Sequence, residues 1–578
     1  MEYKSENKIC QNCEQDFIIE PDDFAFYEKM KVPAPTWCPE CRMQRRLLFR
    51  NERFLYKRKS DFSGKEIFSM RPQEADIKVY ENDVWYSDKW NPMDYGQEYD
   101  FSKSFFEQLL DLYRKVPIFA LSTLYGVNSD YSNNYTGAQN CYLIFNSDYA
   151  EDCMYSVGID NCKRCINNAR IDKSENCANN FFVNSSFQIF FSIECVNSMN
   201  LWFCRDCVGC NDCVGCVGLR NKKYGIFNQQ YSKEEYRAEL EKLNFGSNKF
   251  IKDFSKKVYG LWIKTPVKYM RGFKNSNVSG EYINNSKNSH NVYAVFNVEN
   301  MKYCNNMQTA KDCYDYSTWG AGAEMMYECT MCGIGANNIK FCIECWSEVM
   351  NLEYCLYCQS SSDLFGCVGL RSKQYCILNK QYTKEEYEAL VPKIKKQMEE
   401  MPYKDAQGIE YRYGEFFPPV FSNIFYNHSF AYEYFPITKD EAKEKGYLWK
   451  EDNKRGYAFT IKSTDLPDDI KETPNSIVNE IISCEEWESS PDEAMHHNCT
   501  EVFRILPAEL EFYKHFSLPV PRKCPNSRYY DLIKWRNPMK FYHRKCMKEG
   551  CNNEFETSYA PDRPEIVYCE ACYNNEVA

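Results

Sequence analysis

Histidine is scarce in this chain, with six in 578 residues. None of the six sits in HExxH, and GxSxG, a phosphate-loop GKS/T and a complete GxGxxG are missing too. The common signatures of zinc-protease, serine-hydrolase, nucleotide and dinucleotide chemistry are therefore excluded. No run reaches the roughly 18 apolar residues that a membrane-spanning helix needs. The opening stretch MEYKSENKICQNC is charged and lacks the apolar segment of a secretory leader. Positive charge is not in excess either. A net charge of −11 argues against wholesale nucleic-acid binding and leaves room for a local basic patch. These absences predict a cytoplasmic protein with no membrane partner.

Cysteine and aromatic residues are abundant instead: 32 Cys, 45 Tyr and 38 Phe. In a reducing compartment the cysteines are thiols or metal ligands rather than a disulfide framework. Their spacing is ordered. Cys10-x2-Cys13 and Cys38-x2-Cys41 form two CxxC knuckles that deliver four thiolates to one tetrahedral Zn²⁺. The second knuckle is placed to open a helix, as in a treble clef. Shifting the chain by 486 residues brings the two ends into register. Cys13 meets Cys499, Cys38 meets Cys524 and Arg42 meets Arg528, with 16 identities over residues 13–59. This is an internal duplication. At that shift Cys10 falls on His496 and Cys41 on Ser527. His496, Cys499 and Cys524 are then candidate ligands of a further zinc, with Cys484 or His497 as the fourth. The alternative is an empty site held by packing.

Each end continues into a second unit. Cys546-x4-Cys551-x17-Cys569-x2-Cys572 is another four-thiolate pattern. Its N-terminal counterpart has Ser60, Ser63, Glu81 and Val84 at the ligand positions and reads as a site that has lost its metal. Two zinc ions are expected, and the cluster near Cys499 is the candidate for a third.

The middle carries a second duplication. GCVGLRNKKYGIFNQQYSKEEY at 215–236 matches GCVGLRSKQYCILNKQYTKEEY at 366–387 in 16 of 22 positions, at a shift of 151. Cysteines recur at nine residues among Asn, Ser, Tyr and Phe, as at 153 and 162 or 195, 204 and 213. Short strands alternating with polar turns predict a β-solenoid with two or three strands per rung. The run Cys204, Cys207, Cys210, Cys213, Cys216 resembles a metal cradle. The second copy puts Ser361 and Leu364 at two of its positions, which favours cysteine as a small core residue. Ser104-x-x-Glu107, Ser232-x-x-Glu235, Thr383-x-x-Glu386 and Thr438-x-x-Glu441 predict capped helices.

The fold class expected is therefore multi-domain and mainly β: a duplicated solenoid-like middle flanked by zinc modules, with short helices. The segments are 1–95 (N-terminal zinc module), 96–119 (connecting helix), 120–250 and 251–400 (solenoid copies with capping helices), 401–480 (aromatic connector) and 481–578 (C-terminal zinc module). Between Arg42 and Lys59 there are eight basic residues and one acid. On a helix spanning 42–59, Arg42, Arg46, Arg50, Arg53 and Lys57 share one face, which suits RNA or DNA phosphates. The alternative is arginines paired with acids of this acidic chain.

The motifs CPECRxQRRLxFRNE, GCVGLRNKxY, MHHNCT and NEFETSYAPDRPEIVYC run through nearly the whole length. Through them the chain resembles a family of large, cysteine-rich, zinc-finger-ended proteins of candidate-phyla bacteria. Some members of that family carry a CaiB/BaiF-type CoA-transferase label, which the residues here do not support. The resemblance implies a bacterial cytoplasmic setting and no mechanism. The functional expectation is a zinc-stabilised, non-enzymatic scaffold that presents its solenoid to a protein partner. Nucleic-acid or ribosome binding through 42–59 is the second reading, and a solenoid enzyme the third.

Overall fold

The computed structural model describes residues 3–451 and 456–577. They form two compact units. Unit 1 comprises Met1–Leu121, Met270–Lys450 and Met539–Phe541; unit 2 comprises Ser122–Tyr269, Glu451–Pro538 and Tyr542–Ala578. The N-terminal module thus packs with the second solenoid copy, and the C-terminal module with the first. The aromatic segment 401–480 divides after Lys450. The fold is mainly β, with a solenoid in each unit and cysteine clusters at both ends.

The solenoid of unit 2 has a rung of 12 residues. Val157 pairs with Ala169, and Ala169 with Phe181, in parallel. Every third residue is left-handed: Asn140, Leu143, Asn146, Tyr149, Asp152 and Tyr155 have φ between 51° and 54°. Each side of the rung is therefore a triplet ending in a left-handed corner. That conformation costs an L-residue about 1–2 kcal/mol and is best tolerated by Asn and Asp, which explains the polar residues between the cysteines. Their amides also stack from rung to rung: Asn128 Nδ2 donates to Asn140 Oδ1, and Asn140 Nδ2 to Asp152 Oδ1, both at 3.1 Å.

The residue after each corner faces the core: Cys141, Ile144, Ser147, Ala150, Cys153, Ser156, Ile159 and Cys162 are all buried. Inward backbone N–H groups need acceptors there, and small polar side chains one rung back supply them. Cys141 N donates to Ser129 Oγ (3.1 Å), Asn180 N to Asn168 Oδ1 (3.1 Å) and Cys204 N to Ser192 Oγ (3.0 Å). Inward thiols donate to carbonyls two residues behind and nine ahead. Cys153 Sγ lies 3.2 Å from Glu151 O and 3.6 Å from Cys162 O; Cys204 Sγ lies 3.5 Å from both Trp202 O and Cys213 O. The spacings of three and nine are one and three steps between successive inward positions. Cys204, Cys207, Cys210, Cys213 and Cys216 are 0% exposed, as core residues.

In unit 1 the rungs vary. Ser276 pairs with Lys287, Tyr293 with Asn305, and Glu324 with Asn337, giving steps of 11, 12 and 13 residues. A constant shift of 151 relates the two sequences, but it does not superpose the rungs throughout, because whole residues are added within them.

The two edges of each solenoid differ. The last strand of unit 2 turns back and pairs antiparallel, Ile226 with Gln229, and that of unit 1 does the same, Ile377 with Lys380. Helices with complete capping boxes at Ser232/Glu235 and Thr383/Glu386 follow. At the other edge, Thr123–Leu124 and Gly272–Phe273 are the outermost strands of their sheets.

Candidate metal centres

The sequence brings four cysteines together at each of two sites. The Sγ atoms of Cys10, Cys13, Cys38 and Cys41 lie within 4.8 Å of one another, as do those of Cys546, Cys551, Cys569 and Cys572. A tetrahedron with bonds of 2.3 Å has sulfur–sulfur edges of about 3.8 Å. Cys13 and Cys38 are 3.8 Å apart, and Cys551 and Cys569 are 3.9 Å apart. The first site hangs on the hairpin Glu6–Ile9/Asp16–Ile19 and on the first turn of helix Pro39–Leu47, which Cys38 N-caps. The second hangs on the hairpin Tyr542–Lys545/Glu554–Thr557 and on helix Glu570–Val577.

Amide groups point at the sulfurs, as thiolates require. Cys38 N donates to Cys10 Sγ (3.2 Å), Asn12 Nδ2 to Cys41 Sγ (3.2 Å), Cys569 N to Cys546 Sγ (3.3 Å) and Asn553 Nδ2 to Cys569 Sγ (3.4 Å). Burial opposes charge on Cys569, but the Asn553 amide and neighbouring donors outweigh it and hold that thiol down at about 6. All 32 cysteines are free thiols. The residues fit a closed, four-thiolate metal site at both places.

The third cluster differs from its sequence alignment. Cys484, Cys499 and Cys524 converge within 4.8 Å, and His496 is outside the group. Cys484 stands where Cys10 stands in the other module. Cys524 N donates to Cys484 Sγ at 3.2 Å, as Cys38 N does to Cys10. Cys484 N bonds Glu501 O, as Cys10 N bonds Gln15 O. Fifteen positions separate Cys484 from Cys499 against three between Cys10 and Cys13, so 12 residues are inserted inside the knuckle. A gapless shift therefore slid His496 onto Cys10. His497 is not in this thiol group: its Nδ1 lies 3.1 Å from Glu486 Oε2, and the ring stacks on Tyr530.

The degenerate site of unit 1 has Ser60 where Cys546 stands. Ser60 Oγ bonds the Glu81 carboxylate and accepts from Phe62 N and Ser63 N at 3.2 and 3.4 Å. Beside it, Trp85 packs on Tyr86 and Trp90 (ring centroids 4.8 and 5.9 Å apart).

The arginine stripe is not a phosphate-binding face. The helix ends at Leu47, and Tyr56–Lys59 is a strand. Arg42 and Arg46 are 1% and 0% exposed. Arg42 Nη2 lies 2.9 Å from Asp315, and Arg46 Nη1 lies 3.0 Å from Asp315 and 3.3 Å from Glu328. Arg45, outside the predicted stripe, joins them: it reaches Glu328 at 2.9 Å and Glu415 at 3.0 Å, and stacks over Trp37 at 4.3 Å. Arg50 pairs with Glu52 and Arg53 with Glu433, both buried. Lys57 alone of the five is exposed, beside Glu66. Three guanidiniums and three carboxylates thus close a buried network inside unit 1. Burial pushes the Glu328 carboxyl up against the opposing pull of Arg45 and Arg46. Sequence reading missed Asp315, Glu328 and Glu415 because acids are common in a solenoid and pairing partners lie about 270–370 positions away.

No helix among the described residues is long and apolar enough to cross a membrane. No family model matches the chain, and no curated protein does. Among solved structures it is similar to a crystal structure of a "putative acetyltransferase" from Desulfovibrio desulfuricans G20, at 9% identity over 49% of this chain and 85% of that one. The TM-score of that match is 0.10, so it carries no argument about fold or activity.

Proposed function

We propose that the chain is a zinc-pinned, non-enzymatic scaffold that captures an extended polypeptide segment at the open first rung of its unit 2 solenoid. The observation that carries this reading is the asymmetry of the two edges. One edge is closed by a returning strand and a capped helix. At the other, Thr123–Leu124 ends the sheet, and Tyr125, Val127 and Tyr131 are 83%, 55% and 45% exposed. Natural sheets blunt an outermost strand with lysine, proline or a cover, because such a strand can template a further one. Repeat proteins likewise need a polar terminal rung. Here Tyr125, Val127 and Tyr131 stand exposed among the Ser, Asn and Asp of the terminal rung. Within the same unit a groove of about 940 Å³ continues from Tyr131 past Tyr142 to Phe512 and Phe516. It offers aromatic walls for alternate side chains of an added strand. Zinc fits the two four-thiolate sites by donor type and spacing. A reducing cytoplasm keeps the inward thiols and the metal ligands from oxidising to disulfides.

A displayed library of random linear peptides, selected on the intact protein, tests this. Extended peptides with apolar residues at alternate positions are expected. A variant carrying Tyr125→Lys and Val127→Lys should lose at least about tenfold in affinity, with metal content and thermal unfolding unchanged. Selected peptides that bind this variant equally well would place recognition elsewhere and end the proposal.

A further inference from the structure

The third cysteine cluster departs from the two closed sites in one donor and gains two neighbours. We propose that Cys484, Cys499 and Cys524 bind a third Zn²⁺, with Ser527 Oγ as its fourth donor, in a site more labile than the two four-thiolate sites. This does not depend on strand capture at the solenoid edge.

The geometry carries it. Ser527 sits at the position of Cys41, on the first turn of helix Pro525–Ile533. Its Oγ lies 3.3 Å from Cys524 Sγ and 3.6 Å from Cys484 Sγ. A tetrahedron with zinc–sulfur bonds of 2.3 Å and a zinc–oxygen bond near 2.1 Å has oxygen–sulfur edges of about 3.6 Å. Cys499 and Cys524 are 3.6 Å apart. The amide-to-sulfur bonds of a metal knuckle are also present: Cys524 N to Cys484 Sγ at 3.2 Å, Glu501 N to Cys499 Sγ at 3.4 Å and Ser527 N to Cys524 Sγ at 3.5 Å.

The 12-residue insertion explains how the site works without a fourth thiolate. Glu486, 4% exposed, lies within it, and its carboxylate sits beside Ser527. A hydroxyl hydrogen donated to this carboxylate would leave the Ser527 oxygen lone pairs facing the sulfurs. Glu486 is itself held by His497 at 3.1 Å and by Lys523 at 3.3 Å. Three thiolates and a neutral hydroxyl give a bound Zn²⁺ a net charge of −1, against −2 in the closed sites. Hydroxyl oxygen is also a weaker, harder donor than thiolate.

The test uses the full chain, reloaded with Zn²⁺ and then challenged with excess chelator, with zinc release followed over time. Wild type should release three equivalents, one of them at least about tenfold faster than the other two. Cys499→Ser should abolish the fast equivalent and keep the slow pair. Ser527→Cys should convert the fast equivalent to a slow one. Glu486→Gln should weaken the third equivalent by roughly 10- to 100-fold, as loss of an outer-shell partner does. Two slow equivalents in wild type that stay at two in Ser527→Cys would overturn the third site and leave the closed sites standing. A fast equivalent that survives Cys499→Ser would also overturn it. Fewer than two slow equivalents would instead count against the closed sites.

Discussion

Units 1 and 2 are built from the same parts and have lost complementary pieces. Unit 1 keeps the four-thiolate site at Cys10–Cys41 and replaces its second site with Ser60, Glu81 and an aromatic cluster. Unit 2 keeps the four-thiolate site at Cys546–Cys572 and holds three cysteines and a serine at its first. Each terminal module therefore retains one four-cysteine cluster. The other position is released to vary, and it has varied differently in each unit. The junction between helix and solenoid follows the same rule. Arg42 and Arg528 are equivalent, and both lie over a solenoid tyrosine, Tyr303 at 5.2 Å and Tyr155 at 4.6 Å. Around Arg42 the network grows to three arginines and three acids. Around Arg528 it stops at Glu509, 3.2 Å away, and Asp531 and Leu532 stand where Arg45 and Arg46 would be.

The closed sites should give the largest effect. Structural zinc contributes apparent free energies of about 10–16 kcal/mol to small zinc modules. Cys38→Ser should expose the hairpin and helix of the N-terminal module to hydrogen exchange while the C-terminal module stays protected. Cys569→Ser should do the reverse. Loss of protection in both modules from either change would break the picture of one self-sufficient pin per module.

Arg46 comes next. Removing one member of a buried ion network leaves an uncompensated charge and costs about 3–5 kcal/mol. Arg46→Leu should destabilise by that amount, read from denaturant unfolding. Adding Glu328→Gln should recover most of it, because the surviving charges then balance again. Unit 2 already has leucine at this position, so apolar packing is known to serve there. If Arg46→Leu costs nothing, the network is a passenger and the two junctions are energetically alike.

These particular residues also mark how far sequence alone could go. Cys-x2-Cys knuckles are local, so the two closed sites were legible from spacing. The solenoid was legible as a repeat. Its rung length was not, because cysteine fills only some of the inward positions that recur every third residue, and the step of 12 is carried by corner conformation and by inward Ser, Asn, Ile and Ala as much as by cysteine. The exchange of modules between solenoid copies left no local trace. The fate of Arg42 and Arg46 depended on Asp315 and Glu328, which no periodicity ties to them. His496 was misplaced because a 12-residue insertion is invisible to a gapless shift.

A pH dependence separates the solenoids next. In unit 2, Asp148, Asp160 and Asp172 stack on successive rungs, with Asp148 N donating to Asp160 Oδ1 at 3.0 Å. Burial and the two flanking aspartates push the Asp160 carboxyl up to about 7. A folded-state value above the unfolded one means that folding takes up a proton between those values. This part of the stability is therefore complete below about pH 4 and is lost as pH rises toward 7. Asp160→Asn keeps the acceptor oxygen and removes the charge. It should stabilise unit 2 at pH 8 by about 1–2 kcal/mol, after allowing for solvent screening of a half-buried group, and change nothing at pH 4. An equal gain at both pH values would show that the gain does not come from charge.

The smallest expected effect discriminates most finely between the units. Ser232 and Thr383 cap equivalent helices with the same reciprocal bonds to Glu235 and Glu386. Replacing either with alanine removes about 1 kcal/mol of capping. The two helices differ in what they bury. Lys233–Leu240 has eight residues and buries Tyr236, whereas Lys384–Glu400 has 17 and buries Ile394, Gln397 and Met398. An eight-residue helix is marginal on its own, and its cap holds little beyond its own turns. Ser232→Ala should therefore raise hydrogen exchange only within about 232–240. The longer helix is tied into its core: Gln397 Oε1 accepts from Tyr99 Oη at 2.5 Å, and Lys395 reaches Glu353 at 2.8 Å. Fraying it at Thr383 should spread, so that Thr383→Ala accelerates exchange in residues 99–108 as well as in its own helix. Identical local responses to both substitutions would mean that helix length and burial add nothing to the cap. The unit 1 helix would then be as loosely held as its short counterpart.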